Sequence, residues 1–355
     1  MSMNCCINCF NSGYLGEIII RGKALGNCDY CTSTGISIYD PTELAIFFKS
    51  ILDLYAVDRI SGIGLSASII EDFPNKVFSD LLIRSGAVKQ LIEDIIVDEI
   101  LDYQDIFNNP VSLKYKTDDS SNVFIEPLKT TWDKFSNEIK KINRFHFVNA
   151  PDLERLKTLF RYFVKEVSKG KKFYRARICN DKSGFTTRDM LNPPPDKAKA
   201  GRANPEGISY LYLSSDVKTT IYETRASLFD FVSIATFRLE QNIRIIHLSQ
   251  ETYDVFRLAE LEQLEEVLLH NSFIQKLEEE LSRPKRKSDS DLEYLPTQYI
   301  SELIKSMDID GIEFRSSLHN DGYNLAIFDP NKFKALGVEV YDVSSIDIKF
   351  EKVKI

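Results

Sequence analysis

Apolar residues recur at helical spacing in the first half of the chain. The clearest run follows Asp40-Pro41-Thr42-Glu43 and consists of Leu44, Phe47, Phe48, Ile51 and Leu54. The preceding tetrapeptide is typical of a helix start, with an N-cap aspartate, a proline at the first helical position and a capping-box glutamate. Further helices are predicted over residues 77–106 with a break near Gly86, over residues 132–142 and over residues 152–167.

Short strand-like runs begin after Gly170 and alternate irregularly with helices. The predicted strands are residues 172–178, 208–213, 231–239, 243–248, 311–314 and 323–328. The predicted helices between them are residues 216–226, 253–280 and 296–307. The order lacks the regular alternation of a doubly wound sheet, so the pattern predicts an α+β fold.

The length of 355 residues favours two or three domains. We predict a zinc-ribbon-like segment at residues 1–40, a small helical domain with a connector at residues 41–150, and a catalytic domain at residues 151–355. The connector is the polar stretch 111–131. No catalytic constellation stands out before residue 150.

The charge is unevenly distributed. The whole chain carries a net charge of -8, which argues against a surface made for nucleic acid or for an anionic membrane. Residues 161–202 nevertheless hold 12 Lys or Arg against 4 Asp or Glu, a local charge of +8. This stretch is either a site for a confined anionic ligand such as a dinucleotide or a solvated charged loop. The sequence shows neither a secretory signal nor a membrane-spanning run, so a cytoplasmic protein with reduced cysteines is expected.

Five of the six cysteines lie within the first 31 residues. Two Cys-x-x-Cys pairs, Cys6 with Cys9 and Cys28 with Cys31, are separated by 18 residues, which matches a structural zinc site of four thiolates. Residues 16–20 are predicted to form the strand between the two pairs. Cys5 is an alternative to Cys6 as ligand, and a small hairpin with reduced thiols is the alternative to zinc. A closed four-thiolate site has no catalytic role.

Several segments of the second half form a recognisable series. In order they are Phe173-Tyr174-Arg175-Ala176-Arg177, Gly201-Arg202-Ala203-Asn204-Pro205, Tyr210-Leu211-Tyr212-Leu213-Ser214, Gly311-Ile312-Glu313-Phe314-Arg315-Ser316-Ser317 and Gly322-Tyr323-Asn324-Leu325. Together they resemble the RES domain, which is named for an Arg, a Glu and a Ser. The resemblance covers about residues 150–335. The cysteine-rich helical front resembles the N-terminal domain of the HEPN/RES type that is fused to some members of that family.

The resemblance implies a fold akin to ADP-ribosyltransferases and cleavage of NAD⁺. Carried over by motif, the catalytic residues are Arg175, Tyr212, Glu223 and Ser316, although Ser317 is an alternative to Ser316. One departure is the separation of 93 residues between Glu223 and Ser316, which points to an insertion at about residues 250–292 that includes the polar run 283–291. Substrate-binding roles are predicted for six further residues of the same motifs: Tyr174, Arg177, Arg202, Asn204, Ser317 and Asn324.

The chemistry fits these residue types. A carboxylate such as Glu223 stabilises an oxocarbenium-like ribose, and arginine forks bind diphosphate oxygens in a bidentate way. Taken alone, however, a glutamate such as Glu223 is more typical of a solvated helix surface, and only its distance from the Tyr-Leu-Tyr strand favours the catalytic role. An aromatic residue on a strand is most often a core residue. The four histidines have no metal-binding spacing, and no Gly-x-Ser-x-Gly motif is present.

The sequence therefore predicts an NAD⁺ phosphorylase or NAD⁺ glycohydrolase, with inorganic phosphate or water as acceptor. The resemblance also implies a bacterial toxin of a toxin–antitoxin or anti-phage defence system, with an antitoxin or trigger protein as partner. The alternatives are an ADP-ribosyltransferase that modifies a macromolecule and a non-enzymatic zinc-ribbon module. The acceptor, the partner and any homo-oligomeric state stay open at this point.

Overall fold

The computed structural model describes residues 3–114, 128–248, 253–283, 290–319 and 321–346. The chain divides into two compact units, one formed by Met1–Glu126 with Tyr253–His270 and the other by Pro127–Thr252 with Asn271–Ile355. Residues 253–270 of the predicted insertion thus belong to the first unit. The domain boundaries at residues 40 and 150 stay predictions. Residues 115–127 of the predicted connector and residues 284–289 of the polar run lie outside the described residues.

The first unit is mainly helical, with elements numbered along the whole chain. Its helices are α1 (Gly13–Arg21), α2 (Ala45–Leu52), α3 (Leu65–Asp72), α4 (Asp80–Ser85), α5 (Val88–Ile95), α6 (Gln104–Asn108), α10 (Val255–Glu260) and α11 (Leu264–Leu269). Its strands are β1 (Cys5–Cys6), β2 (Ala24–Gly26), β3 (Ile36–Tyr39), β4 (Tyr55–Val57) and β5 (Val111–Leu113). Strands β1, β3 and β2 form one antiparallel sheet, and β4 pairs with β5.

The predicted strand at residues 16–20 is wrong, because helix α1 occupies this stretch. The side chain of Ser12 caps the helix by accepting a hydrogen bond from the backbone N–H of Leu15 at 2.9 Å. Leu15 and Ile19, four residues apart, are buried, whereas Ile20 is 52% exposed. An apolar run this short fits a strand or a helix by composition, and here the cap and the i, i+4 burial select the helix.

The helix start at Asp40 and the break at Gly86 are confirmed. The Asp40 carboxylate accepts the backbone N–H of Thr42, and a short 3-10 turn, Pro41–Leu44, leads into α2. Gly86 ends α4 in the left-handed region at φ 75°, where glycine has no Cβ penalty. Residues 77–106 therefore form α4, α5, a 3-10 turn at Val97–Tyr103 and most of α6.

The second unit combines helices with one large sheet. Its helices are α7 (Leu128–Lys141), α8 (Leu153–Arg161), α9 (Val217–Thr224), α12 (Asn271–Ser282) and α13 (Leu295–Lys305). Its strands are β6 (Val164–Val167), β7 (Lys172–Cys179), β8 (Leu211–Ser214), β9 (Phe231–Leu239), β10 (Ile243–His247), β11 (Gly311–Arg315), β12 (Tyr323–Ile327) and β13 (Phe333–Asp342). The sheet order is β13-β9-β7-β8-β12-β11-β10-β6, and among these neighbours only β10 and β11 run parallel. The predicted α+β class is confirmed.

The six strands predicted after Gly170 are confirmed with shifted ends, but the two edge strands β6 and β13 were not predicted. Strand β6 lies in residues predicted to be helical, because apolar residues keep helical spacing up to Phe163. Edge strands carry polar residues at exposed positions, so the alternation of apolar and polar residues that predicts a strand is weak in them. The single helix predicted over residues 253–280 is also wrong. The chain there forms α10, α11 and α12 in succession.

The pairing of β7 prepares the site. This strand pairs with β9 along its whole length but with β8 only at Tyr174↔Ser214. The two strands therefore diverge on either side of that position. Below them the core of the unit is apolar and includes Phe173, Leu213 and Leu325. The divergence opens the sheet and leaves strand edges available to side chains and ligands.

Among the described residues, no helix combines the length and the apolar character needed to cross a membrane.

Candidate active site

A cleft of about 310 Å³ lies where β7 and β8 diverge. Its lining comes from β7, β8, α9, β11, β12 and the loop before β8, and consists of Arg175, Ala176, Arg202, Tyr212, Leu213, Ser214, Thr220, Glu223, Thr224, Phe314 and Asn324. Three of the four predicted catalytic residues, Arg175, Tyr212 and Glu223, are therefore neighbours in space. The fourth, Ser316, touches Glu223 directly.

Glu223 lies in the last turn of α9, which Asp216 caps by accepting the N–H of Thr219 at 2.8 Å. The carboxylate of Glu223 receives two hydrogen bonds on the same oxygen. Ser316 Oγ donates to Oε1 at 2.7 Å, and Asn324 Nδ2 donates to Oε1 at 2.8 Å. Within the described part of the chain, no hydrogen bond reaches Oε2. The carboxylate is thus fixed by one oxygen while the other stays available to a ligand in the cleft.

Ser316 is the serine that belongs to the site. It is buried, and its Oγ accepts the backbone N–H groups of Leu318 at 3.3 Å and His319 at 3.2 Å. With two donors aimed at its oxygen, the hydroxyl proton is directed to Glu223. Ser317, in the bend that follows β11, is exposed. The geometry thus favours Ser316 over Ser317.

Asn324 supports Glu223 from β12. It pairs with Ser214 of β8 in the sheet, and the Ser214 hydroxyl donates to Asn324 Oδ1 at 2.8 Å. That bond fixes the amide so that its NH₂ group faces Glu223. Both residues are buried, so the pair forms a rigid polar floor of the cleft. A direct contact of Asn324 with substrate stays a prediction.

Arg175 bridges the gap between the diverging strands. Its Nη1 donates to the backbone carbonyl of Tyr212 at 3.2 Å, so the side chain replaces a missing ladder hydrogen bond. Burial, with repulsion from Arg177, lowers the pKa of Arg175 to about 10, so the guanidinium stays charged at neutral pH. Its Nε is buried and has no hydrogen-bond partner among the described residues. A buried unpaired donor on a charged group is costly, and a bound anion would satisfy it.

Arg177 and Tyr174 do not belong to the described lining of the cleft. Arg177 is exposed, donates from Nη1 to the carbonyl of Asp189 at 2.6 Å and lies over the ring of Phe185 at 4.3 Å. Their predicted role in substrate binding stays a prediction, and this geometry does not add to it.

Tyr212, Asn204 and Arg202 are linked. The Tyr212 hydroxyl donates to Asn204 Oδ1 at 2.8 Å and accepts the N–H of Ala203 at 3.1 Å. Burial raises the pKa of Tyr212 to about 12, so the phenol is neutral at neutral pH. Arg202 lines the cleft and donates from Nη1 to the carbonyl of Leu281 at 3.2 Å.

The sequence interpretation missed several residues of this site. Thr220 and Thr224 line the cleft beside Glu223, at the i−3 and i+1 positions of α9, and Phe314 lines it from β11. Thr297 and Gln298 of α13 are buried and bind the backbone of the Arg202 loop. Helical spacing around Glu223 signals Thr220. No local pattern signals Thr297 or Gln298, which are more than 90 residues away from that loop.

Four of the cysteines form a second site in the first unit. The sulfur atoms of Cys6, Cys9, Cys28 and Cys31 all lie within 4.8 Å of one another and are buried. The Sγ–Sγ distance is 3.4 Å for Cys6 to Cys31, 3.4 Å for Cys9 to Cys28 and 3.9 Å for Cys6 to Cys9. The N–H groups of Tyr30 and Cys31 both donate to the Cys28 sulfur at 3.4 Å. Such a group can hold a metal ion.

Cys5 faces away from this cluster. Its thiol donates to the backbone carbonyl of Tyr39 at 3.4 Å, and burial raises its pKa far above the usual range. In contrast, hydrogen bonds from Cys6 and Cys9 hold the pKa of Cys28 far below that range. Cys6 rather than Cys5 therefore completes the cluster.

The chain was compared with known protein families, sequences and structures. No curated protein sequence matches the chain. A chain in the crystal structure of the M. tuberculosis MbcT-MbcA toxin-antitoxin complex is similar at 14% identity and a TM-score of 0.33, covering 54% of this chain and 94% of that one. The family model of the RES domain matches residues 172–351, about half of the chain and all of the cleft. The chain therefore belongs to the RES domain family.

Proposed function

We propose that this protein cleaves NAD⁺ at the bond between nicotinamide and the ribose. The observation that carries the proposal is the placement of Glu223, held on Oε1 by Ser316 and Asn324 at the edge of a cleft that also contains Arg175 and Arg202. A fixed carboxylate opposite fixed cations suits a ligand that is positive at one end and anionic at the other. NAD⁺ has this distribution, and the family membership supports it.

The proposed reaction needs little acid–base chemistry. The C1′–N bond breaks, its electron pair leaves with nicotinamide as a neutral base, and positive charge develops on the ribose. The free Oε2 of Glu223 accepts a ribose hydroxyl and stabilises that charge from a preorganised position. An oxygen of water or of inorganic phosphate then bonds to C1′, and any proton that it releases goes to solvent.

Arg175 and Arg202 are the proposed ligands of the diphosphate. Arg175 brings a buried charge whose Nε lacks a partner among the described residues, and Arg202 lines the same cleft. Arginine matches phosphate oxygens with a planar fork of donors, whereas lysine offers a point charge. A diphosphate bound there satisfies the buried donor and fixes the ribose against Glu223.

Ser316 is a positioning residue in this proposal. Its hydroxyl proton is engaged by Glu223, and its oxygen already accepts two backbone N–H groups. A nucleophilic serine needs a base that removes its proton, typically a histidine oriented by a third group. Among the described residues, the hydroxyl proton of Ser316 is directed to the Glu223 carboxylate, which in this proposal is occupied with the ribose. The mechanism therefore assigns Ser316 no covalent step.

The test is product analysis by mass spectrometry after incubation of the purified protein with NAD⁺, with and without inorganic phosphate. We expect free nicotinamide in both reactions, with ADP-ribose as the other product, if water is the acceptor. If phosphate is the acceptor, we expect nicotinamide and the 1″-phosphate of ADP-ribose only in the reaction that contains phosphate. Nicotinamide release together with ADP-ribose covalently attached to a macromolecule would instead establish an ADP-ribosyltransferase. Intact NAD⁺ in every reaction would refute the proposal and favour a non-enzymatic module.

The cysteine cluster is proposed to bind one structural Zn²⁺. Four thiolates at about 2.3 Å from a tetrahedral ion lie about 3.8 Å from one another. The three measured sulfur distances, 3.4, 3.4 and 3.9 Å, are close to that value. The ion would be held by Cys6, Cys9, Cys28 and Cys31, would neutralise their charge and would stabilise the fold around them. With four protein ligands the site has no open position for chemistry.

The biological setting follows from the proposed chemistry. An enzyme that removes NAD⁺ faster than the cell replaces it is harmful to that cell unless a partner restrains it. A toxin role, in a toxin–antitoxin or anti-phage defence system, is consistent with this requirement and with the RES family. The antitoxin or trigger protein would be detected as a cytoplasmic protein that abolishes nicotinamide release when added to the purified enzyme.

A further inference from the structure

The loop that carries Arg202 is fixed by a set of polar side chains, which we call the loop clamp: Asn204, Tyr212, Thr297 and Gln298. Three of them are buried, and Tyr212 is half-buried at the cleft. The Asn204 amide donates to the carbonyls of Lys199, Pro205 and Ile208 at 3.0, 3.1 and 2.8 Å. One side chain thus closes the loop on itself from within. Asn204 is 4% exposed, so these bonds are shielded from water.

Tyr212 joins this closed loop to the sheet. Its hydroxyl both donates to Asn204 Oδ1 and accepts the Ala203 N–H. The fit is close, because a Cβ added at Gly201 would lie 2.4 Å from Asn204 Oδ1 and 2.9 Å from the Tyr212 hydroxyl. Both hydrogen-bonding directions of the phenol are therefore in use, and the hydroxyl is not free to exchange protons with a ligand.

Helix α13 holds the loop from the other side. Gln298 Nε2 donates to the carbonyls of Gly201 and Asn204 at 2.8 and 3.1 Å, and Thr297 Oγ1 donates to the carbonyl of Arg202 at 2.6 Å. The Arg202 head group is separately held by the Leu281 carbonyl. Buried side chains that satisfy backbone carbonyls leave the loop a single conformation.

We propose that Tyr212, Asn204 and Gln298 act together as positioning residues for Arg202, so that its guanidinium is held in the cleft to receive an anionic group of the substrate. This inference rests on the proposed function for the identity of the substrate. It assigns to the Tyr212 hydroxyl a role in fixing the loop that carries a cation. It also assigns a function to Gln298, which follows the insertion in sequence.

The test is a double-mutant cycle on NAD⁺ cleavage with Tyr212→Phe, Arg202→Ala and the double variant. Tyr212→Phe loses two neutral hydrogen bonds, and each loss changes an equilibrium constant by about a few-fold. We therefore expect KM to rise about tenfold, while kcat changes by less than about threefold. In the Arg202→Ala background, Tyr212→Phe should have no further effect on KM. Additive effects on KM, or a loss confined to kcat, would overturn the proposal while leaving NAD⁺ cleavage in place.

Tyr210→Phe is the matched control. Tyr210 is buried and lies two residues from Tyr212, and its hydroxyl has no hydrogen-bond partner among the described residues. Removing that hydroxyl should leave KM unchanged. Gln298→Met, which keeps the length of the side chain but removes its donors, should raise KM in the same way as Tyr212→Phe and so covers the case in which Tyr212→Phe fails to fold.

A second measurement separates the loop clamp from the catalytic proposal. Hydrogen exchange followed by mass spectrometry on residues 199–208 needs no substrate, because the Ala203 N–H donates to Tyr212 in the free protein. Tyr212→Phe and Gln298→Met should each speed exchange in this peptide by at least tenfold, and Tyr210→Phe should not. Unchanged exchange in both clamp variants overturns the proposal even if wild-type protein fails to cleave NAD⁺. If both clamp variants exchange faster but the wild-type protein does not cleave NAD⁺, the loop clamp stands and the proposed function is refuted.

Discussion

Glu223→Gln is the most informative substitution, because the local structure makes it nearly isosteric. The Gln carbonyl oxygen can take the place of Oε1 and accept the same hydrogen bonds from Ser316 and Asn324. The amide NH₂ then replaces Oε2, the oxygen that faces no partner in the described chain. The substitution therefore removes one negative charge at the cleft and leaves the supporting contacts in place.

The magnitude follows from electrostatics. A unit charge about 4 Å from a developing positive charge interacts by roughly 4 kcal/mol at an effective dielectric constant of about 20. The nicotinamide ring of bound NAD⁺ is already positive, so part of this attraction is present in the ground state. The part of the attraction that is gained only in the transition state corresponds to a loss of about 10²–10³ in rate when the charge is removed, as for other preorganised electrostatic groups. NAD⁺ affinity should change by only a few-fold.

The assay is single-turnover release of nicotinamide, with NAD⁺ binding measured by calorimetry on the same preparation. Glu206→Gln is the matched control, because Glu206 is exposed and lies outside the described lining of the cleft. We expect Glu206→Gln to behave as wild type. If Glu223→Gln releases nicotinamide within about threefold of the wild-type rate while folding normally, the electrostatic role of Glu223 is refuted.

Three further outcomes are expected. Elemental analysis should find about one zinc per chain, lost in Cys9→Ser but retained in Cys5→Ser, and metal-free wild-type protein would contradict the zinc proposal. Arg175→Ala should weaken NAD⁺ binding by about 10- to 100-fold in calorimetry, and Arg175→Lys should restore it only in part. Arg188→Ala, at an exposed arginine, should leave the affinity unchanged. Equal affinities of wild type and both Arg175 variants would exclude Arg175 as a ligand of the diphosphate. Burial would raise the pKa of Asp216, but hydrogen bonds from Thr219 and Ser215 outweigh it and lower the pKa. The stabilisation that ionised Asp216 gives to the folded protein is therefore complete above the ordinary carboxyl pKa. It is lost as the pH falls through the lowered pKa of Asp216 in the folded protein. Asp216→Ala should cost about 1 kcal/mol in denaturant unfolding at pH 7 and less near pH 3, and an equal cost at both would refute this linkage.

The sequence by itself predicted residues that the structure brings together, Arg175, Tyr212 and Glu223 in the cleft and four cysteines in the cluster. The two Cys-x-x-Cys pairs predicted the cysteine cluster, because the spacing that a tetrahedral ion requires is local. The strand Phe231–Leu239 and the capped start at Asp40 were also predicted, since each depends on neighbours within one element. The RES family was identified from motifs that are each short and contiguous, and the family match confirms it.

Other features were decided by tertiary structure. Residues 16–20 fit a strand as well as a helix until the Ser12 cap and the burial of Ile19 selected α1. Ser316 and Ser317 are equivalent in sequence. The turn after β11 aims two backbone N–H groups at Ser316 and leaves Ser317 exposed. Such choices depend on which face of an element is covered, and a local pattern does not contain that information.

The cleft itself exists only in three dimensions. It forms because β7 and β8 pair at one position and diverge elsewhere, a property of sheet curvature that strand propensity does not encode. Glu223 and Ser316 are 93 residues apart, yet their side chains are joined at 2.7 Å. Gln298 reaches the Arg202 loop from 94 and 97 residues away. A buried polar group must find a partner wherever the fold provides one, so the partners of these side chains follow from the packing of distant elements and cannot be deduced from sequence spacing.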